Sequence, residues 1–153
     1  MTKHVGIKLP EDLIALLKEC RTIAVLGTFS EKGFPSTTPV QCLYPKGNES
    51  LLLSINKDHE GYHNMVWQKK VTLTFLGDNN IAYTILGRAG VVRAPSVVHP
   101  LMNVVRIDII DVKSDESALV RIDRGVTWSY TCSEAQELLE GLYSELKELA
   151  IKL

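Results

Sequence analysis

At 153 residues the chain is long enough to bury a core without disulfides or metal, and it is read as one domain over 1–153. Its 17 basic residues nearly balance 18 acidic ones, which excludes a general nucleic-acid or membrane-surface binder, for which a basic excess is the electrostatic footprint. The opening MTKHVGIKLPEDL has no signal-like apolar core and no later stretch reaches membrane-spanning length, so a cytoplasmic protein is expected.

The first element in chain order is a helix over about 10–20, opened by Pro10, with Leu13, Leu16 and Leu17 on one face and Glu11, Asp12 and Lys18 on the other. TIAVLGTFS reads as a strand, EKG as a turn, and STTPVQCLY as a second strand running back against the first. Pro39 cannot donate to a ladder, so that second strand belongs at an edge or a bulge. PKGN turns the chain into ESLLLSI, a third strand.

Next comes SINKDHEGYHNM, a polar run with Lys57, His59 and His63 around Gly61. By itself it reads as a solvated connection or as the anion-binding corner of a small-molecule site. HEGYHNMVWQKK has room for two or three helical turns that bring Met65, Val66 or Trp67 inward, and Trp67 is read as core. KVTLTFLG alternates as a strand, GDNN turns, and IAYTILGRAGVVR is a long strand whose Gly87 and Gly90 suggest a bend or bulge. NVVRIDIIDVK and LVRIDRGVTWSY add two more strands and extend the barrel region to about 22–130. Trp128 and Tyr130, at the end of the last, are read as core or interface packing, with the lining of a cleft as the alternative. Ser133 with Gln136 matches a capping box, and Ala135, Leu138, Leu139, Leu142, Leu146 and Leu149 form one stripe of a helix over about 133–151. Many antiparallel strands with flanking helices make a mainly β chain, a small closed barrel.

The three cysteines, Cys20, Cys42 and Cys132, show no CxxC spacing and are read as buried thiols, with no metal site expected. No triad, nucleophile elbow, phosphate-binding glycine loop or dinucleotide fingerprint appears. Chemistry, if present, therefore has to come from a cofactor that the protein holds and orients.

From about Leu9 to about Val112 the chain resembles the pyridoxamine 5′-phosphate oxidase-like, FMN-binding split-barrel family. The resemblance is carried by the leading helix, then TIAVLGTFSEKGFPSTTPV, LLLSINKDHEGYHNM with Asn64 near its usual place, VTLTF, and the Gly87-Arg88-Ala89 step in YTILGRAGVV. It implies a homodimer with flavin mononucleotide at the subunit interface, the ring along the second and third strands. It places the phosphate grip on the loop after the third strand and the helix that follows, so the resemblance puts cofactor contacts at Thr37, Thr38, Ser54, Asn56, Lys57, His59 and His63, with Gln41 a further polar neighbour. It also implies a small-molecule substrate and a flavin-dependent oxidoreductase.

Two departures qualify the pattern. Where family members usually carry Arg then Lys, this chain has Glu60 and Gly61, which forgoes a charge-assisted bond of about 1.5–3 kcal/mol. The second strand shows Thr37 and Thr38 where the specialised oxidases have a basic residue, which argues against the vitamin-pathway enzyme itself. Two alternatives stay open: a non-catalytic member with a degenerate flavin site, and a haem-handling relative using His59, His63 or His99.

Overall fold

In the computed structural model, which describes residues 3–152, the elements run β1 (Lys3–Gly6), α1 (Glu11–Lys18), β2 (Ala24–Phe29), β3 (Pro35–Val40), β4 (Leu43–Lys46), β5 (Ser50–Asn56), α2 (Glu60–Gln68), β6 (Lys70–Gly77), β7 (Ile81–Arg93), β8 (Met102–Ser114) and α3 (Ser133–Lys152). The strands form one antiparallel sheet in the order β3-β2-β6-β7-β8-β5-β4, with β1 added beside β8. The two ends of that path, β3 and β4, follow one another in the chain. Residues 35–46 therefore cross from one end of the sheet to the other, and the sheet curls into the expected split barrel.

Both path ends carry proline, at 35 and 39 in β3 and at 45 in β4, as the missing N–H demands. The stretch STTPVQCLY is thus two strands, not one. It breaks at Gln41–Cys42 because its first half pairs with β2 and its second half with β5, at opposite ends of the path. β1 was not foreseen, since four exposed residues carry no apolar alternation. β8 is long enough to hold three neighbours: β7 along one edge, and β5 and β1 in succession along the other. The β7–β8 ladder slips between Leu86 and Gly87 and again between Val91 and Arg93, so the bulge expected near Gly87 is present and the second lies just past Gly90.

LVRIDRGVTWSY is not a strand. Residues 115–132 hold no regular structure and are pinned instead by turn side chains: the Ile122 N–H donates to Asn80 Oδ1 at 2.9 Å and the Gly125 N–H to Asp78 Oδ1 at 2.6 Å. The segment runs past the end of β6, where the β2 ladder has stopped at Phe75, but is held by these single bonds and forms no ladder of its own. A Cβ at Gly125 would stand 2.6 Å from the Leu76 carbonyl oxygen, so only glycine lets the segment lie this close to β6.

Two apolar clusters flank the sheet. Leu26, Leu51, Leu53, Leu73, Phe75, Ile85 and Ile107 fill the barrel, closed by Leu13 and Leu17 of α1 and Met65 of α2. Outside the barrel, Cys42, Leu52 and Val104 pack under Leu142, Tyr143, Leu146 and Leu149 of α3. β5 is thus buried on both faces, which is why its sequence reads as a continuous apolar run rather than an alternating one. Glu145, fully buried, fixes α3 further: Oε1 accepts from Ser96 Oγ at 2.5 Å, and Oε2 accepts from Arg93 at 3.1 Å and the Val97 N–H at 2.9 Å. Of the inward candidates on α2 only Met65 is buried. Val66 and Trp67 are each 51% exposed, because the nine-residue helix offers the barrel a single narrow face, through Gly61, Asn64 and Met65. The Ser133–Gln136 box does not close, since Ser133 is already helical; its hydroxyl bonds Glu134, and Gln136 reaches forward to Glu140.

Leu52 and Leu53 point to opposite faces of β5, so each reports on one cluster. Leu53→Ala and Leu52→Ala are both expected to lower unfolding free energy by about 2–5 kcal/mol in chemical denaturation. A loss below about 1 kcal/mol for Leu52→Ala would contradict the docking of α3.

Candidate functional site

The polar run that follows β5 is organised by its own side chains. Asn56 Oδ1 accepts the Asp58 N–H at 2.8 Å, turning the chain out of the strand. His59 then caps α2: its Nδ1 accepts the Gly61 N–H at 2.9 Å, satisfying one of the donors that a helix start leaves open. With Nδ1 occupied as acceptor, the neutral ring carries its proton on Nε2, which donates to Thr38 Oγ1 at 3.3 Å. One imidazole therefore ties the helix start to the edge strand β3.

Gly61 is buried under this cap. A Cβ there would come 3.1 Å from Leu26 Cδ2 and 3.2 Å from His59 Nδ1, so the position faces the barrel, tightly. A side chain at 61 would require the Leu26 methyl and the His59 ring to move by a few tenths of an ångström. Packing, and not only charge, explains the glycine. Glu60 is exposed and does not line the cleft described next.

A cleft of about 560 Å³ opens between the outer wall of the barrel and the first half of α3. Its barrel wall is Val40, Gln41 and Cys42 from the β3–β4 crossing, Ser54, Ile55 and Asn56 from β5, and His59. Its other wall is Trp128, Tyr130 and the α3 residues Leu138, Leu139 and Leu142. Ser54 is the informative member. Its residue is only 5% exposed, and its Oγ is the one buried side-chain polar atom among the described residues with no hydrogen-bond partner. Leaving a hydroxyl so placed costs about 1–3 kcal/mol, a cost that a ligand in the cleft can offset.

Of the seven residues singled out in the sequence, Ser54, Asn56 and His59 line this cleft, and Thr38 joins it through His59. Lys57 and His63 are exposed and do not line it. Thr37 lies apart, in a second, mainly apolar cleft of about 340 Å³ with Gly27, Phe29, Leu86 and Ile110 on the outer face of β2, β6 and β7. His99 is in the β7–β8 connection, where its Nδ1 accepts the Leu101 N–H at 3.1 Å. Trp128 and Tyr130 are half-buried cleft-lining residues, not core. Alternation with polar neighbours does not decide between core and cleft, because a strand and an extended strap give the same pattern. No group of three or more His, Cys, Asp or Glu side chains among the described residues is arranged to hold a metal ion, and none of the described helices is long and apolar enough to cross a membrane.

The three cysteines differ, against the expectation that all are buried: Cys42 is buried beneath the cleft, Cys20 is half-buried and Cys132 is exposed, on the turn ahead of α3. Burial pushes the Cys42 thiol far above its ordinary range, with Cys20 and Glu145 adding repulsion, and burial also raises Cys20.

Comparison with known proteins follows from this geometry. Residues 9–123 match the family model described as pyridoxamine 5′-phosphate oxidase. Among solved structures, a candidate pyridoxamine 5′-phosphate oxidase from Lactobacillus delbrueckii shares 23% identity at a TM-score of 0.61, covering 72% of this chain and 98% of that one. HupZ of Group A Streptococcus shares 15% at 0.61, covering 76% and 99%. The styrene monooxygenase flavin reductase of Pseudomonas putida shares 11% at 0.51, covering 63% and 81%. At these identities the structures establish a common fold. No curated protein matches the chain.

A raised thiol pKa means less thiolate and slower attack. In native protein at pH 8, Cys132 is expected to react first with a chromogenic aromatic disulfide, Cys20 more slowly, and Cys42 only in denaturant; rapid release of three equivalents from native protein would refute the buried Cys42.

Proposed function

The chain belongs to the pyridoxamine 5′-phosphate oxidase family, and on that premise we propose that it binds flavin mononucleotide in the cleft between the barrel wall and α3 and acts as a flavin-dependent oxidoreductase on a small molecule. The observation that carries this reading is the buried, unpartnered Ser54 hydroxyl, in a residue that lines a cleft drawn from the same two strands and loop to which the resemblance assigns the flavin. The resemblance sets that site between subunits, whereas this cleft is closed within one chain by α3 and residues 128–131. The donor set suits a ring with a hydrogen-bonding edge: the Ser54 hydroxyl, the Asn56 and Gln41 amides and the His59 imidazole stand on one side. Ile55, Met102, Leu138 and Leu139 supply apolar cover that keeps water from the ring.

In this reading Ser54 and Asn56 hold the polar edge. Thr38 fixes the direction of His59. The phosphate end meets His59 and the exposed Lys57 at the mouth, in place of the Arg-Lys pair whose positions hold Glu60 and Gly61. When bound, the flavin supplies the hydride and electron transfer, and the protein binds and orients it. The flavin reductase of Pseudomonas putida on the same fold supports a redox use of the scaffold.

The family also argues for a homodimer. The face around the second cleft exposes Val25, Phe29 and Ile110, at 39%, 49% and 48%, and we assign the contact between copies to it, with Thr37 at its edge. Light scattering on wild-type protein should give twice the 17.0 kDa chain mass, and Phe29→Glu combined with Ile110→Glu should give the chain mass itself. A monomeric wild type would overturn this assignment and, with it, the flavin's implied place between subunits, leaving only the cleft within one chain.

The cofactor reading is tested on Ser54. After incubation with excess FMN and removal of unbound ligand, denatured wild-type protein should release about one flavin per chain. Ser54→Ala should weaken FMN binding about two- to tenfold, by the net worth of one hydrogen bond, while leaving the ligand-free protein equally or more stable because a buried unpaired hydroxyl is gone. Retention of no flavin by the wild type sinks the proposal.

A further inference from the structure

The family match ends at residue 123, yet the cleft takes one whole wall from residues 128–142. That wall is held in place with care. Trp128 Nε1 donates to the Arg21 carbonyl at 2.8 Å, Arg21 donates back to the Trp128 carbonyl at 3.3 Å, and the Arg21 guanidinium lies 5.0 Å over the indole. Tyr130 meets the edge of Trp128 at 5.1 Å with the rings near perpendicular, the favoured arrangement of an aromatic pair. The clamp anchors the strap to the end of α1; Trp128 and Tyr130 both line the cleft, and of the two it is Trp128 that the clamp with Arg21 holds.

Across the cleft stands Ser54, buried and without a partner. A ligand that satisfies both walls has flat apolar faces and a hydrogen-bonding edge.

We propose that Tyr130 is the ring-contacting, specificity-determining residue of the cleft, with Arg21 and Trp128 as positioning residues, so that this chain selects its ligand by a planar heteroaromatic ring more than by the phosphate. The proposal rests on the flavin reading and adds to it a wall that the chain supplies from beyond the family match. It also fits the exchange of Arg-Lys for Glu60 and Gly61: a grip weakened at the phosphate is compensated at the ring.

The test compares FMN with riboflavin, which carries the same ring without the phosphate, by equilibrium dialysis and by the visible circular dichroism of the bound flavin. Wild type should hold both, with affinities within about tenfold of each other. Tyr130→Ala should weaken both by about the same factor, on the order of tenfold, and change the flavin circular dichroism. Tyr130→Phe should restore binding, since ring contact and not the hydroxyl is at issue. Arg21→Ala should act in the same direction to a smaller extent, with thermal unfolding of the ligand-free protein little changed. If Tyr130→Ala retains flavin with unaltered affinity and spectrum, the proposal is overturned and the flavin reading stands. If FMN alone is weakened and riboflavin is not, Tyr130 serves the phosphate end and the proposal is likewise overturned. A wild type that binds neither flavin overturns both readings at once.

Discussion

The burial of β5 on both faces is the constraint from which the rest follows. Leu51, Leu53 and Ile55 fill the barrel, while Leu52 turns outward beneath α3. Each such side chain contributes about 1.5–3 kcal/mol on leaving water, so a strand with apolar residues on both sides forces a second layer onto the barrel. α3 is that layer. Because the helix covers only the part of β5 and β8 opposite Leu142, Leu146 and Leu149, its first half stands off from the sheet and leaves a cleft. Ser54 ends up in that gap, out of water and out of reach of a partner.

The corner at His59 shows how one residue serves folding and site together. Its Nδ1 closes the start of α2, and its Nε2 reaches Thr38 on the edge strand, so the ring is oriented from both sides and held at the cleft. Gly61 completes the corner by letting α2 approach Leu26. A side chain at 61 would press on Leu26 and the His59 ring, which would have to give by a few tenths of an ångström. Packing at the helix start thus bears on the departure from the family pattern, and the nearby cation of this run is the exposed Lys57.

The C-terminal third changes what the scaffold offers. On the barrel side, the cleft is lined by polar and aliphatic side chains and the His59 imidazole. The strap through Trp128 and Tyr130 adds aromatic surface, and it depends on no ladder: it is tied to Asp78, Asn80 and Arg21 by individual bonds. A wall built in this way has a shape that varies independently of the barrel, which is the usual division of labour between a rigid scaffold and its connections.

Local sequence determined the elements whose signals are local. The alternation in VTLTF, the stripe from Leu138 to Leu149, the prolines that mark β3 as an edge strand and the order of strands that carries the family resemblance were all legible, since each depends on neighbours within a few residues. What only the tertiary structure decided depends on partners far along the chain. STTPVQCLY divides because its halves pair with β2 and β5; LVRIDRGVTWSY stays out of the sheet, held by single bonds to Asp78, Asn80 and Arg21; Trp67 remains half exposed because α2 turns Gly61 and Met65 inward instead. The same holds for the candidate site. Sequence drew attention to Ser54, Asn56 and His59 through the resemblance, but that they share a cleft with Tyr130 of the strap, while Thr37 lies elsewhere, follows from a strand crossing and a helix docking that no periodicity encodes.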